Sequence, residues 1–107
     1  MGWQVIIAPS AQLDLADIVQ YIAQHNSDAA ARLGFELITR AENLANFPEL
    51  GRKVPEFKQV DLREIVCRSY RIIYRLNREK QWIHIVRFWH GARGFPHIPA
   101  KILLRMA

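Results

Sequence analysis

The chain has 107 residues, half of them apolar, and a formal net charge of +5. This length and composition predict a single folded domain over residues 1–107 and exclude a disordered or fibrous chain. Cys67 is the one cysteine, which excludes an internal disulfide and suits a reducing compartment. Apolar runs are all shorter than a membrane span, so we expect a cytoplasmic protein that does not enter a membrane.

Charge is unevenly distributed along the chain. Residues 1–51 carry two basic and six acidic side chains, whereas residues 52–107 carry thirteen basic and four acidic ones. The two halves therefore have net charges of −4 and +9. A basic half of this kind is typical of a surface that docks an anionic partner, although basic side chains also serve solubility alone. The His and Cys residues lack zinc-ligand spacing, and we expect neither a metal nor a cofactor.

The first half of the chain predicts one strand and two helices. Residues 3–8 form an apolar run typical of a strand. Ser10 is the predicted N-cap of a first helix, in which apolar side chains recur at helical spacing. Asp28 is the predicted N-cap of a second helix of about 18 residues, which ends at Pro48. The short connection between the helices predicts an antiparallel helical hairpin.

The second half predicts a sheet. A loop over residues 48–59 is followed by three strands with short separators, which favours an antiparallel meander. The predicted strands lie at about 60–67, 69–77 and 81–89. Leu62 and Ile65 cannot share a face of one regular strand, so we expect a β-bulge near Arg63-Glu64. Residues 98–107 are predicted to add a short C-terminal helix.

The middle strand has two different faces. Its apolar face carries two tyrosines and two aliphatic residues: Tyr70, Ile72, Tyr74 and Leu76. Its other face carries Arg71, Ile73 and Arg75. We therefore expect an α+β domain of order β-α-α-β-β-β, with the helical hairpin packed on one face of a small, mostly antiparallel sheet. The opposite face, with its arginines, is then left open to solvent or to a partner.

Several side chains on or near these strands have two possible roles. Arg71 suits bidentate contact with a phosphate or carboxylate, or pairs across strands with Glu64. His90 is a possible general acid or base, or a strand-end histidine that hydrogen-bonds its own loop. Arg52 contacts a target or ties down its loop. Arg87 and Trp89 alternate on the last long strand, and both are residue types that are enriched at protein interfaces. Trp89 is slightly more typical of a core position.

A series of motifs carries a resemblance to a known family. They begin in the first helix with Ala11, Asp14-Leu15, Ile18 and Tyr21-Ile22. The loop and strands add Phe47-Pro48-Glu49-Leu50-Gly51-Arg52, Val54-Pro55-Glu56, Leu62-Arg63-Glu64, Tyr70-Arg71-Ile72-Ile73-Tyr74-Arg75, Ile83-His84-Ile85 and His90-Gly91-Ala92-Arg93. In this order and over about 80 residues, the chain resembles the RelE/ParE superfamily, the toxins of bacterial type II toxin–antitoxin modules.

The resemblance implies a toxin of the plasmid-stabilisation type that a cognate antitoxin neutralises within a hetero-oligomer. ParE-like members act on DNA gyrase, whereas RelE-like members are mRNA interferases that cut mRNA in the ribosomal A site. RelE-like members have basic residues on the strand where this chain has Leu62 and Glu64, and a tyrosine beyond Tyr74 is missing here. We therefore favour the ParE-like activity, with the ribosome-dependent endoribonuclease as the alternative.

The resemblance also implies which residues carry toxicity. For a ribonuclease, the catalytic candidates are Arg71, His90 and Arg93. For binding of a target, the candidates are Arg52, Arg71, Arg75, His90 and Arg93. Arg87 and Trp89 are the expected contacts with the antitoxin. General single-strand binding is less favoured, because the arginine-bearing strand face lacks the aromatic side chains on which bases stack.

Overall fold

The computed structural model describes residues 2–106, and it has a five-stranded sheet flanked by helices. The elements are β1 (Gln4–Ile7), α1 (Pro9–Ala23), α2 (Ser27–Asn43), β2 (Arg52–Lys53), β3 (Leu62–Cys67), β4 (Tyr70–Asn77), β5 (Trp82–His90), a 3₁₀ turn (Gly91–Arg93) and α3 (Ala100–Met106). The strand order is β1-β5-β4-β3-β2. β1 runs parallel to β5, and the other neighbours are antiparallel. The expected α+β class and mostly antiparallel sheet are confirmed. The short strand β2 lies in a segment that was predicted as a loop. Ala107, the last residue of the predicted C-terminal helix, lies outside the described residues.

Both helices start two residues earlier than predicted, because other residues cap them. Ala8 is the N-cap of α1, with Pro9 in the first turn, where its missing N–H matters least. Ser10 instead donates its hydroxyl to the carbonyl of Val86 at 2.7 Å. Asn26 caps α2 by accepting the backbone N–H of Ala29 at 3.0 Å. The predicted caps Ser10 and Asp28 are therefore wrong.

The helical hairpin packs on the predicted apolar face of the sheet. Leu37, Ala41 and Leu44 are fully buried there, against strand residues that include Ile72 and Tyr74. Further buried members of this core are Ala11, Ile65, Cys67, Ile83, Ile85 and Phe88. Burial also raises the pKa of the Cys67 thiol, as expected for a cysteine that serves as a small apolar side chain.

The opposite face of the sheet is covered too, so the expectation of an open arginine face is wrong. Ile73, Val86 and Trp89 are buried beneath Ile98 and the apolar side of α3. This second core also holds Val54 and Leu62, with Phe57, Val60, Ile102 and Leu103 packed against it. The apolar residues that follow the last strand need burial, and this face is where they find it.

The sheet's irregularity lies in the pairing of β4 with β5 and not near Arg63-Glu64. Ile73 pairs with Arg87, and Tyr74 pairs with Ile85, which leaves Val86 as an extra residue on β5. The β3–β4 register is unbroken. Leu62 and Ile65 point to different faces because each face has its own core. Within residues 2–106, none of the helices combines the length and the apolar character needed to cross a membrane.

Candidate functional site

The buried carboxylate of Glu64, on β3, lies between two arginines. Its Oε2 accepts Nε of Arg52 at 2.8 Å, and its Oε1 accepts Nε of Arg71 at 2.5 Å. The Glu64 side chain is fully buried. Since an isolated buried carboxylate is strongly disfavoured, the two guanidinium groups stabilise it in its charged form.

Arg71 is held by a second carboxylate as well. Its Nη1 and Nη2 donate to Oε2 and Oε1 of Glu56 at 3.0 and 2.8 Å, a bidentate pair. These contacts hold the pKa of Glu56 below its usual range and raise the pKa of Arg71. The Arg71 side chain is 14% exposed. Arg71 was expected on a solvent-exposed face, and the structure instead gives it the predicted alternative, a pair with Glu64.

Arg52 ties its strand to the sheet while leaving charge at the surface. β2 pairs with β3 so that Arg52 lies opposite Glu64, and Nη2 is 2.7 Å from Glu64 Oε2. The Arg52 side chain is nevertheless 67% exposed. Both roles predicted for Arg52, loop anchoring and contact with a target, are therefore compatible with its position.

The loop before Arg52 is fixed by Tyr74 of β4. The Tyr74 hydroxyl donates to the carbonyl of Pro48 and accepts the N–H of Gly51, each at 2.8 Å. A Cβ on Gly51 would lie 2.6 Å from that hydroxyl and 2.7 Å from the Glu64 carbonyl oxygen, so only glycine fits. Arg63 closes the arrangement by donating Nη1 to the Gly51 carbonyl at 3.0 Å. The Pro-Glu-Leu-Gly-Arg motif is thus a structural anchor that presents Arg52.

A second group of candidate residues lies where β5 ends. His90 Nδ1 accepts the N–H of Ala92 at 3.1 Å and so caps the 3₁₀ turn, which is the structural role predicted for it. The His90 ring meets Tyr70 edge to face, with 5.0 Å between ring centroids. Because Nδ1 accepts this bond, the neutral ring carries its proton on Nε2.

Arg93 is exposed but well positioned. Its guanidinium lies 3.9 Å from the centroid of the Trp89 ring, and Trp89 donates Nε1 to the Gly94 carbonyl at 3.2 Å. Gly94 has a φ of 79°, which favours glycine and turns the chain back over the ring. Arg93 takes no part in the ion pairs formed among residues 2–106. Its contact among these residues is therefore the face of an indole ring and not a carboxylate.

His90 and Arg93 line one shallow cleft between β5 and α1. The cleft has a volume of about 180 Å³ and is bordered by Tyr21, Tyr70 and Asp17 as well. An arginine, an imidazole and two phenols can exchange protons, but two carboxylates, Asp14 and Asp17, line the same cleft and oppose the binding of an anion. Arg71 is not among the residues that line this cleft, so the three proposed catalytic residues do not share one pocket.

Arg87 and Trp89 have roles inside the fold. Arg87 donates to both carboxylate oxygens of Asp14, and its side chain is 12% exposed. Trp89 is 3% exposed, as its predicted core position requires. Their contact with an antitoxin stays a prediction. Sequence reasoning missed Asp14 and Glu56 as partners of the arginines, since neither lies near its partner along the chain.

Arg75 is separated from the other candidates. It lies near the end of β4, directly opposite His84 of β5, whereas Arg71 lies near the start of β4. Arg75 lines a pocket next to β1 and α3. The five predicted residues therefore divide into three places: Arg52 with Arg71, His90 with Arg93, and Arg75 alone.

The chain is similar to known toxins over most of its length. Residues 5–95 match the family model described as the ParE toxin of type II toxin–antitoxin system, parDE. Toxin RelE2 of Caulobacter vibrioides is 38% identical over 90 residues, which cover 84% of this chain and 97% of that toxin. Toxin RelE1 of the same organism is 29% identical over 92 residues, covering 85% and 96%.

Two solved structures have a similar fold. One is a chromosomal ParDE toxin–antitoxin system from P. aeruginosa, with a TM-score of 0.65 and 16% identity over 82% of this chain and 95% of that one. The other is the toxin–antitoxin complex RelBE2 from Mycobacterium tuberculosis, with a TM-score of 0.65 and 18% identity over 84% and 92%. At these identities the similarity concerns the fold.

Proposed function

Because the chain belongs to the ParE toxin family of type II toxin–antitoxin systems, we propose that it arrests growth by binding DNA gyrase and that a cognate antitoxin neutralises it. The observation that carries the choice of target is the position of Arg71. Every hydrogen bond that the Arg71 guanidinium donates goes to the carboxylate of Glu56 or of Glu64.

Cleavage of mRNA through Arg71 would require this guanidinium to be free. An arginine that assists phosphoryl chemistry must place its charge against the developing phosphorane oxygens. Here the N–H groups of Arg71 already bind two carboxylates, and one of these, the carboxylate of Glu64, is fully buried. Removing Arg71 would leave the buried Glu64 carboxylate with Arg52 as its remaining cationic partner in this cluster, and losing half of its charge compensation is unfavourable. A structural role for Arg71 supports a toxin that acts by binding.

Arg93 and Arg52 are the arginines that a protein target can reach. Arg93 is held on the Trp89 ring at 3.9 Å, so little side-chain entropy is lost when it binds. Arginine is also enriched among the residues that dominate protein interfaces. Arg52 is 67% exposed although its Nε is anchored on Glu64. We therefore assign contact with gyrase to Arg93 first and to Arg52 second.

An antitoxin partner follows from the same proposal. The two structural relatives are toxin–antitoxin assemblies. In this chain residues 52–107 have a net charge of +9, which would attract an acidic antitoxin segment and speed its association. The antitoxin and gyrase then compete for overlapping basic surface, which accounts for neutralisation by steric exclusion.

The second candidate is a RelE-like mRNA interferase. It is favoured by the names of the two Caulobacter relatives, both RelE toxins. The cleft lined by His90, Arg93 and Tyr70 would be its active site, with His90 as the group that moves a proton. This arrangement replaces Arg71 by Arg93 as the cation for the phosphate.

A paired assay on the purified full-length toxin separates the two activities. Gyrase supercoiling of relaxed plasmid is measured beside translation of a defined mRNA on ribosomes, with the cut positions mapped. The proposal expects supercoiling to stop while the mRNA stays intact. Codon-positioned cuts with normal supercoiling would instead establish the interferase.

A further inference from the structure

A pocket of about 470 Å³ opens between β1, β5 and α3. Much of its wall is aliphatic. These apolar residues are Ile6, Ile7, Ala8, Pro9, Val86, Pro99 and Ile102. The other lining residues are four with basic side chains, Arg75, His84, Lys101 and Arg105, and one with a hydroxyl group, Ser10. A volume of this size is typical of sites that take a small organic molecule.

The basic side of the pocket lacks the carboxylates that its charge calls for. Arg75 Nε is buried and has no hydrogen-bond partner among the described residues. Arg75 also takes no part in the ion pairs of residues 2–106, in contrast to Arg71 and Arg87 on the same face of the sheet. Among the residues that line the pocket, the described part of the chain contributes no aspartate or glutamate.

Such an arrangement is unfavourable for stability when the pocket is empty. A buried N–H without a partner costs free energy, and like charges nearby add to that cost. The same surroundings disfavour a positive charge on His84, because burial and the charges of Arg75 and Arg105 lower its pKa below the usual range. Burial and the charge of Arg105 likewise lower the pKa of Arg75. Side chains that destabilise a fold in this way are typical of binding sites.

We propose that this pocket binds a small carboxylic acid with an apolar body, whose carboxylate meets Arg75 and His84 and whose body lies along Ile6, Val86 and Ile102. The carboxylate supplies an anionic partner for the Arg75 guanidinium, which has none among the described residues, and Lys101 and Arg105 of α3 add positive charge to the lining. The aliphatic wall explains why a bare inorganic anion would satisfy the pocket less well. The proposal does not depend on whether gyrase is the target.

The test uses hexanoate as the probe, with hexanamide as a neutral probe of the same shape and inorganic phosphate as an anion without an apolar body. Binding to the full-length chain is followed by NMR of the His84 ring, and affinity is expected near about 1 mM for so small a ligand. Hexanoate should raise the His84 pKa, since a bound anion opposes the charges of Arg75 and Arg105. Hexanamide and phosphate should bind at least about tenfold more weakly.

Arg75→Gln should abolish hexanoate binding while thermal stability stays the same or rises, because a half-buried cation with an unpartnered Nε is removed. Arg78→Gln is the matched control: Arg78 lies just beyond β4 outside the pocket, and its loss should leave binding unchanged. Should Arg75→Gln fail to fold, Arg105→Gln in α3 should weaken hexanoate binding several-fold. Equal binding of hexanamide, equal binding of phosphate, or full binding by a folded Arg75→Gln variant would each overturn the proposal.

Discussion

The Arg87 guanidinium binds both carboxylate oxygens of Asp14, with Nε to Oδ2 at 2.7 Å and Nη2 to Oδ1 at 2.6 Å, although the residues lie 73 positions apart. The same Oδ2 accepts the backbone N–H of Phe88 at 3.0 Å. Phe88 lies two residues after the extra residue Val86, in the part of β5 that does not pair with β1. A buried aspartate on α1 therefore completes the hydrogen bonding of the sheet at its irregular point.

Asp14→Asn should lower the free energy of unfolding by about 3 kcal/mol, because Arg87 would be left without its charged partner in a poorly exposed position. Urea unfolding followed by circular dichroism measures the change. Asp17→Asn, on the exposed part of the same helix, is the matched control and should be nearly neutral. Equal stability of the two variants would show that the Asp14–Arg87 contact does not hold α1 on the sheet.

Glu64→Gln should destabilise the protein by about 3 kcal/mol, because two guanidinium groups lose the charge of their shared acceptor. Glu36→Gln removes the carboxylate from the surface pair with Arg68 and should change stability little. It follows that Arg71→Ala also weakens the fold, so loss of toxicity in that variant cannot identify a target contact. A fully stable Glu64→Gln variant would remove the structural role assigned to Arg71.

Gly51→Ala should destabilise the protein by about 1–3 kcal/mol, the usual range for overpacking. The added methyl group would meet the Tyr74 hydroxyl and the Glu64 backbone, and neither can move without losing hydrogen bonds. Gly2→Ala is the control, since nothing lies within 4 Å of a Cβ there. Differential scanning calorimetry of both variants decides the point, and unchanged stability of Gly51→Ala would contradict the anchoring role of this loop.

His84 should make stability depend on pH near neutrality. Its pKa in the folded protein is lowered, chiefly by burial, so the unfolded chain takes up this proton first. The contribution of neutral His84 to the free energy of unfolding is fully present above about pH 6.5. It is lost as the pH falls from there through the folded-state pKa of His84. His84→Gln should therefore flatten the fall in melting temperature between pH 7.5 and 5.5, whereas His25→Gln at an exposed position should not. A fall as steep as in the unmodified protein would contradict this assignment.

The sequence predicted the helices and the three long strands because local periodicity determines them. It missed the covering of the arginine face, since that depends on where residues after Phe95 return to the sheet. It also misplaced the bulge, because Val86 becomes an extra residue only through its pairing with β4. The predicted pair of Arg71 with Glu64 is present, but its second partner, Glu56, lies in a loop whose path the pattern does not specify.

We propose that this toxin acts on gyrase through Arg93 and not by chemistry at Arg71. The most direct measurement is inhibition of gyrase supercoiling by purified toxin, by Arg93→Ala and by the control Arg78→Ala, each checked for equal melting temperature. We predict inhibition by the unmodified toxin and by Arg78→Ala, and at least about tenfold weaker inhibition by Arg93→Ala, as for an interface hot spot. Normal supercoiling in the presence of folded, unmodified toxin would contradict it.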